Sequence, residues 1–155
     1  MPFLRGEDII SGAEGVARAT IDGRVVDLFM VRTFEATMTK NKTGVKVLGT
    51  RSEQQKASGW SGEGTMNMFY ITTEFRKLAA KYAKLGIDTY FNVTITNEDS
   101  SSSVGKQTMV LYDCNLNSTV IAKLDVEADF LDEDQEFTFQ DFDILDAFGQ
   151  PVLAG

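Results

Sequence analysis

Histidine is absent from this chain of 155 residues, and cysteine occurs once, at Cys114. Without histidine, the chain can form no metal site or catalytic triad that depends on an imidazole. A single cysteine also excludes an internal disulfide. Because Cys114 lies in the alternating apolar run VLYDCNL, we interpret it as a buried small apolar side chain rather than a nucleophile.

Proline and long apolar runs are also scarce. The chain has 2 prolines against 13 glycines, which fits a turn-rich β protein. No apolar run is long enough to span a membrane as a helix, and the N-terminus lacks a secretory apolar region. We therefore expect synthesis and folding in a cytoplasm without membrane insertion. A net charge of −8 disfavours a protein that binds duplex nucleic acid, because such proteins usually present a basic face.

Helical periodicity is convincing in one stretch only, and it predicts an α-helix over residues 73–85. The apolar residues that recur at helical spacing are Phe75, Leu78, Ala79, Tyr82 and Leu85. Thr72 or Thr73 can cap the N-terminus, and Gly86 can end the helix in the left-handed conformation. A helix of this length is marginal alone, so its apolar stripe has to pack against a sheet.

Most of the remaining chain has the pattern of β-strands. Asp22-Gly23 separates two strand-like runs, 16–21 and 25–37, and is typical of a type I′ hairpin. A flexible serine-rich turn is expected over 97–105, and further strands are predicted over residues 65–71, 89–96, 106–116, 119–130 and 136–143. The pattern predicts a mainly β fold, an antiparallel β-sandwich or barrel of about seven strands with one flanking α-helix. We expect residues 1–155 to form a single domain, with an N-terminal arm over 1–12 and a C-terminal tail over 147–155.

Residues 39–64 interrupt the strand pattern, because they are polar, basic and rich in glycine. Their cations and the only tryptophan of the chain are Lys40, Lys42, Lys46, Arg51, Lys56 and Trp60. A loop of this length in a compact domain is usually functional or disordered. An aromatic side chain in a polar segment suggests docking on a partner or on the domain itself. The simpler interpretation is a mobile surface hairpin.

The last third of the chain is acidic, since no lysine or arginine follows Lys123. Asp125, Glu127 and Asp129 alternate with apolar residues, as expected of strand 119–130 with one wet face. Paired carboxylates could serve a glycosidase or a divalent metal. However, DFLDEDQEF lacks the glycine and ligand spacing of an EF-hand, and the glycine-rich stretches lack the residues of a phosphate-binding loop. We therefore predict no enzyme activity, metal site or cofactor. A β-sandwich enzyme that uses the acidic cluster is the alternative.

The basic stretch and the acidic third are electrically complementary. A chain with two such surfaces can bind copies of itself head to tail, and these contacts close into rings or continue as a filament. A β domain rich in edges suits this association, because neighbouring sheets can join edge to edge.

Short motifs along most of the chain resemble one family. In chain order they are ISGAEG, TFEA, KNK, GTR, SGWSGEGT, FY, LYD, IAKLDV and FTFQDFD, from Ile10 to Asp143. Each motif is weak alone, but the ordered set resembles the tail tube proteins of contractile-tailed bacteriophages, in particular the PBSX-like prophage type of Gram-positive bacteria. The serine run at 100–103 and the tail after Asp146 depart from the family pattern.

The resemblance implies a structural subunit whose hexameric rings stack into a hollow inner tube. In that family the loop after the first hairpin reaches the adjacent ring. By position, this makes the inter-ring candidates Lys40, Lys42, Lys46, Arg51, Lys56 and Trp60. DNA passes through the lumen without specific binding, so we expect an acidic wall, with Asp125, Glu127 and Asp129 as candidates.

The partners implied are other copies of the chain, the tail sheath protein, and baseplate and tail terminator proteins. The resemblance also implies location in the virion tail tube, after synthesis in the bacterial host cytoplasm. The alternative function is the tube of a non-replicating particle, either a phage tail-like bacteriocin or a contractile injection system. The sequence does not distinguish the two.

Overall fold

The computed structural model describes residues 2–154, so Met1 and Gly155, the outer ends of the predicted arm and tail, lie outside the described residues. The strands and the α-helix are β1 Val16–Ile21, β2 Arg24–Asp27, β3 Val31–Val45, β4 Gln54–Phe69, α1 Glu74–Leu85, β5 Phe91–Glu98, β6 Lys106–Leu116, β7 Asp132–Phe139 and β8 Asp141–Asp146. Two short 3-10 helices, Gly6–Asp8 and Gly12–Glu14, precede them. All pairings between these strands are antiparallel. The predicted class, a mainly β antiparallel fold with one helix, is confirmed with one strand more than expected.

Two sheets share strand β6. The first sheet has the order β2-β1-β5-β6-β8, and the second has the order β3-β4-β7 with the C-terminal end of β6 added to it. β6 bulges where it changes sheets: Asp113 has a φ of 53°, and its N–H donates to Asn92 Oδ1. The predicted strand over residues 25–37 is two strands, because the buried Leu28 and Met30 carry the chain from the first sheet to the second.

The predicted hairpin turn and helix are both confirmed. Asp22 and Gly23 have φ values of 51° and 75° in the two-residue turn between β1 and β2, as type I′ requires. Helix α1 ends at Gly86, which has a φ of 70°. Of the two candidate caps it is Thr72 that acts, since its hydroxyl accepts the N–H of Glu74. Within residues 2–154, no helix is long and apolar enough to cross a membrane.

The core lies between the two sheets and beneath the first half of α1. Its buried side chains are Ala19, Ile21, Leu28, Met30, Met66, Met68, Phe75, Phe91, Val93, Leu111, Cys114, Phe137 and Phe139. The ring of Phe75, from α1, lies 5.7 Å from that of Phe91, centroid to centroid. Tyr82 and Leu85 stay 59% and 69% exposed. Only the N-terminal half of the predicted apolar stripe therefore packs against the sheets.

Two glycines of β4 make room for aromatic rings in this core. Gly62 pairs with Phe139, and Gly64 pairs with Phe137, across the ladder between β4 and β7. A Cβ atom added to Gly64 would lie 2.2 Å from Cζ of Phe137, and one added to Gly62 would lie 2.5 Å from the ring of Phe139. The sequence pattern attributes these glycines to a loop. In the fold they lie in β4, where the absence of a side chain leaves space for the two phenylalanine rings.

The predicted strand over residues 119–130 is wrong. Residues 117–131 form no strand, and the side chains from 121 to 130 are exposed. β7, which follows, already pairs with β4 on one side and with the end of β6 on the other. The segment thus has the alternating pattern of a strand but no partner strand within the described subunit. The last predicted strand, 136–143, is two strands, β7 and β8, separated by Gln140.

The predicted loop over residues 39–64 is a β-hairpin. β3 and β4 pair from Val31↔Met68 out to Val45↔Gln54, so that only residues 46–53 connect them. Polar residues and glycines have modest strand propensity, but cross-strand pairing stabilises them in a ladder. This pairing is not visible in a local sequence pattern, which is why the prediction failed.

The serine-rich turn joins the two ends of the chain. One carboxylate oxygen of Asp8 accepts both the N–H and the hydroxyl of Ser103, each at 2.7 Å. The same hydroxyl oxygen accepts the N–H of Val152 at 3.1 Å. Phe3 and Ala154 exchange two backbone hydrogen bonds. We call Asp8, Ser103 and Val152 the terminal latch; it ties the turn that was predicted to be flexible to both arm and tail.

The terminal latch is expected to open in acid. The hydrogen bonds from Ser103 hold the pKa of Asp8 below its ordinary value. A carboxylate with a lowered folded-state pKa stabilises the fold above its unfolded pKa, and this contribution is lost as pH falls through the folded pKa. We expect the amide resonance of Ser103 in NMR spectra to titrate with a midpoint below about 3.9, the value of a free aspartate.

Two variants control this titration. Asp8→Asn is expected to remove the acid transition of the Ser103 resonance, and Ser103→Ala is expected to move the pKa of Asp8 back toward its ordinary value. A midpoint in the unsubstituted protein at or above that of free aspartate would contradict the latch.

Candidate assembly surfaces

Beyond the sandwich, β3 and β4 continue as a two-stranded ribbon, residues 39–61. β7 pairs with β4 only from Gly62 onward, so the ribbon has no third strand within the described chain. Its side chains are exposed, apart from Trp60, which is partly packed. Seven paired residues of β3, from Thr39 to Val45, extend by roughly 23 Å at 3.3 Å per residue. An isolated two-stranded hairpin is marginally stable in water, so the ribbon needs further contacts to hold one conformation.

The five cations of the predicted inter-ring set all lie on this ribbon. Side chains alternate between the two faces of a strand, so Lys40 and Lys42 share one face of β3. Lys56 pairs with Thr43 and therefore lies on the other face. Lys46 and Arg51 lie in the connecting turn. Among residues 2–154, no carboxylate lies within 4.0 Å of the charged nitrogens of these five side chains.

Trp60 fixes the base of the ribbon to its own domain. Its ring centroid lies 5.6 Å from that of Phe142 and 6.1 Å from that of Phe139. The sequence left open whether this side chain docks on a partner or on the domain; within the subunit it packs on the domain, and 36% of it remains exposed. Its predicted inter-ring role stays a prediction for that exposed part.

Asp125, Glu127 and Asp129, the predicted lumen residues, lie in the segment 119–131, which forms no strand. The apolar residues between them are also uncovered, with Leu124 and Val126 at 89% and 88% exposure. None of the three carboxylates has a cationic partner within 4.0 Å in the described part of the chain. Whether they face a lumen depends on neighbouring subunits and stays a prediction.

A second acidic surface, which the sequence analysis missed, covers the outer face of the sheet β3-β4-β7. The ladder places Thr65 of β4 between Glu35 of β3 and Glu136 of β7, and Thr37 opposite Glu63. We call Glu35, Glu63 and Glu136, with the threonines between them, the acidic sheet face. These carboxylates are far apart in the sequence and share a surface only because of the strand register, so no local signal predicts them.

Cys114 is fully buried, as predicted. Burial raises the pKa of its thiol to about 12, so the reactive thiolate is not formed near neutral pH. The interpretation of Cys114 as a small apolar side chain is confirmed.

The model of the phage tail tube protein family matches residues 3–146 of this chain. The chain belongs to the phage tail tube protein family. This confirms the resemblance, and membership implies a structural role. Among curated relatives, the phage-like element PBSX protein XkdM of Bacillus subtilis strain 168 is 39% identical over 141 residues, which cover 91% of this chain and 93% of that protein. The uncharacterised protein YqbM of the same strain is 38% identical over the same shares.

Solved structures of contractile injection systems contain subunits with a similar fold. The chain matches a subunit of the sheath–tube complex of an extracellular contractile injection system in its extended state, with a TM-score of 0.66 and 10% identity over 95% of each chain. A subunit from the sheath/tube terminator of that system gives a TM-score of 0.69 at 10% identity, over 92% of this chain and 100% of that one. At such identities these matches show the fold alone. A Bacillus subtilis protein of solved structure is 34% identical, with a TM-score of 0.53, over 86% of this chain and 97% of that one.

Proposed function

We propose that this protein is the structural subunit of an inner tail tube, in which hexameric rings stack into a hollow tube that conducts viral DNA during contractile tail ejection. The observation that carries the proposal is the exposed ribbon of residues 39–61 on a member of the tail tube family. A polar two-stranded arm of roughly 23 Å, without a third strand in the described chain, is marginally stable in a monomer. Contacts with a neighbouring subunit in an assembly would stabilise it.

The ribbon is proposed to reach the adjacent ring. Its five cations, Lys40, Lys42, Lys46, Arg51 and Lys56, have no partner within the described subunit, on a chain of net charge −8. Uncompensated cations on a projecting arm favour an acidic surface on the neighbour, and such complementarity orients the contact and speeds association. Trp60 packs the base of the ribbon against its own domain, through Phe139 and Phe142.

The lumen wall is proposed to be acidic, so that DNA passes without adhesion. Asp125, Glu127 and Asp129 are the candidates from sequence, and the acidic sheet face is the second. The acidic sheet face is the stronger candidate for the lumen wall, because its carboxylates project from paired strands and its other side chains are polar threonines. The segment of Asp125 also exposes Leu124 and Val126, whose contact with water has a cost in free energy.

Negative-stain electron microscopy of the purified protein tests the proposed function. We expect rings or hollow tubes, and multi-angle light scattering should show species above the monomer mass of 17.1 kDa. A protein that remains a monomer at every concentration, with and without a sheath protein, would contradict it.

Reversing three ribbon charges is expected to impair tube formation without unfolding the subunit. Lys40→Glu, Lys42→Glu and Lys46→Glu together replace attraction to an acidic neighbour by repulsion, and we expect the concentration needed for tubes to rise by about tenfold or more. Circular dichroism should be unchanged, because all three side chains are exposed. As a matched control, Lys77→Glu with Lys84→Glu on α1 should leave tube formation intact. Normal tubes from the ribbon variant would contradict electrostatic stacking.

The tube of a phage tail-like bacteriocin or contractile injection system is the second candidate function. The observation that favours it is the fold shared with subunits of an extracellular contractile injection system and of the anti-feeding prophage baseplate. Sheath, baseplate and terminator proteins are proposed partners in either case, and the particle is the proposed location. Capsid genes beside the gene of this protein, and DNA in purified particles, would support the phage; their absence would support the alternative.

A further inference from the structure

Residues 124–130 have the sequence pattern of a β-strand, but they do not form a strand in the described subunit. In LDVEADF, apolar and acidic residues alternate, yet these residues pair with no strand of the described subunit. Leu124 and Val126 are almost fully exposed, and Phe130 is half exposed. Alternation of this kind is stabilised when one face of a strand is covered, so the pattern indicates a partner outside the subunit.

The ribbon offers the matching edge. β3 is the terminal strand of its sheet and pairs only with β4, so one side of residues 39–45 presents backbone N–H and C=O groups without a strand partner in the described chain. Such an edge is a template for the addition of another strand. Its length of seven residues equals that of 124–130.

The charges of the two segments also correspond. Lys40 and Lys42 lie on one face of β3 by the strand period of two, and Lys46 follows directly after the end of that strand. Asp125, Glu127 and Asp129 share one face by the same rule. Antiparallel alignment with Val126 opposite Thr43 sets Glu127 beside Lys42 and Asp129 beside Lys40. Opposite charges that face each other on neighbouring strands stabilise the pairing.

We propose that residues 124–130 of one subunit add as a β-strand to the free edge of the ribbon, residues 39–45, of a second copy of this chain. The inference rests on the proposed function and names the surface that receives the ribbon in the stacked tube. It moves Asp125, Glu127 and Asp129 from the lumen to the seam between subunits and leaves the lumen to the acidic sheet face. In this alignment Leu124 and Val126 lie on the face opposite to the carboxylates, beside Val45 and Thr43 of the ribbon.

A charge exchange tests the pairing. D125K/E127K/D129K is expected to impair tube formation as strongly as K40E/K42E/K46E does, by about tenfold or more. A chain that carries both sets of substitutions is expected to form tubes again, because each segment then carries the charge that the other had and the two still attract. The control combines D125K/E127K/D129K with K77E/K84E on α1, which should recover nothing. If the fully exchanged chain assembles no better than its parents, the proposed pairing is wrong.

A backbone test separates strand addition from simple attraction. Val126→Pro removes an N–H donor and is expected to impair tubes, whereas Val126→Ala is expected to have a much smaller effect. Both variants should keep the melting temperature of the monomer, since residue 126 is outside the core and outside every described strand. Equal assembly by the two variants would overturn the β-strand addition.

Cross-linking locates the contact directly. A chain with Thr43→Cys and Val126→Cys, treated with a short bismaleimide after assembly, is expected to give a ladder of covalent multimers, and each single substitution alone should not. Cys114 is buried and does not compete. Tubes that form without a ladder would overturn this inference and leave the proposed function standing. Failure of the unsubstituted protein to form tubes would overturn both.

Discussion

Replacing Arg76 by methionine is expected to lower the free energy of unfolding by about 3–5 kcal/mol, the range found when one partner of a buried ion pair is removed. Arg76 and Glu133 are paired at 2.5 Å, with side-chain exposures of 12% and 1%. The substitution leaves the Glu133 carboxylate buried, with Gln135 Nε2 as its remaining hydrogen-bond donor in the described chain.

The position of Arg76 explains why one side chain has such an effect. Its guanidinium also donates to the backbone carbonyls of Thr72 and Val120, and it lies over the ring of Tyr70 at 4.2 Å. It thereby connects the start of α1 to β7 and to the beginning of the segment 119–131. Loss of these contacts is expected to loosen the segment proposed to pair with the ribbon, so Arg76→Met should weaken assembly as well as stability.

Urea denaturation of the monomer, followed by tryptophan fluorescence, measures this effect. Arg76→Met combined with Glu133→Leu is expected to recover most of the lost stability, because no buried charge is left without a partner. Arg24→Met is the matched control: Arg24 also pairs with α1, through Glu74, but is largely exposed, so its loss should change little. A double variant no more stable than Arg76→Met would show that buried charge is not the cause.

Replacing Gly64 by alanine is expected to destabilise the fold by about 1–3 kcal/mol or more, the cost of adding a methyl group to a packed core. The new Cβ would lie 2.2 Å from Cζ of Phe137, a ring that is 1% exposed and in contact with Phe34 at 5.4 Å between centroids. The ring cannot move outward without opening the core, so the strands β4 and β7 must separate or the ring must leave its rotamer.

A smaller partner should relieve the clash. Gly64→Ala combined with Phe137→Leu is expected to be more stable than the sum of the two single effects, because the shorter leucine side chain does not reach the space that the Cζ atom of the ring occupies. Gly12→Ala is the control, since no atom lies within 4 Å of a Cβ built there. Urea midpoints of these variants and of the unsubstituted protein measure the coupling. An unchanged midpoint for Gly64→Ala would show that the ring can yield.

Several features of the fold could be predicted from the sequence because their causes are local. The helix over Glu74–Leu85 follows from apolar spacing, and its end follows from Gly86, which takes a φ of 70°. The turn at Asp22-Gly23 follows from the tolerance of those residues for positive φ. The burial of Cys114 follows from its place in an alternating run. The family follows from motifs whose order along the chain is itself a sequence property.

Other features could not be predicted, because a strand exists only when another strand pairs with it. Residues 124–130 have the alternating pattern of a strand, but they pair with no strand of the described subunit. Residues 39–61 lack that pattern, but β3 and β4 pair along them. The charged inter-ring candidates on the ribbon and the acidic candidates on 119–131 are exposed, and their roles stay predictions; their arrangement on these segments was not foreseen.

The sequence by itself thus determined the position of the helix through its helical periodicity, the first hairpin turn through Asp22-Gly23, and the two charged regions through their composition. The tertiary structure alone decided which strands pair, that Gly62 and Gly64 accommodate aromatic rings, that Glu133 turns inward to Arg76, and that Glu35, Glu63 and Glu136 meet on one surface. The physical reason is that backbone hydrogen bonds between strands join residues distant in sequence, and a local pattern contains no information about which partner is available.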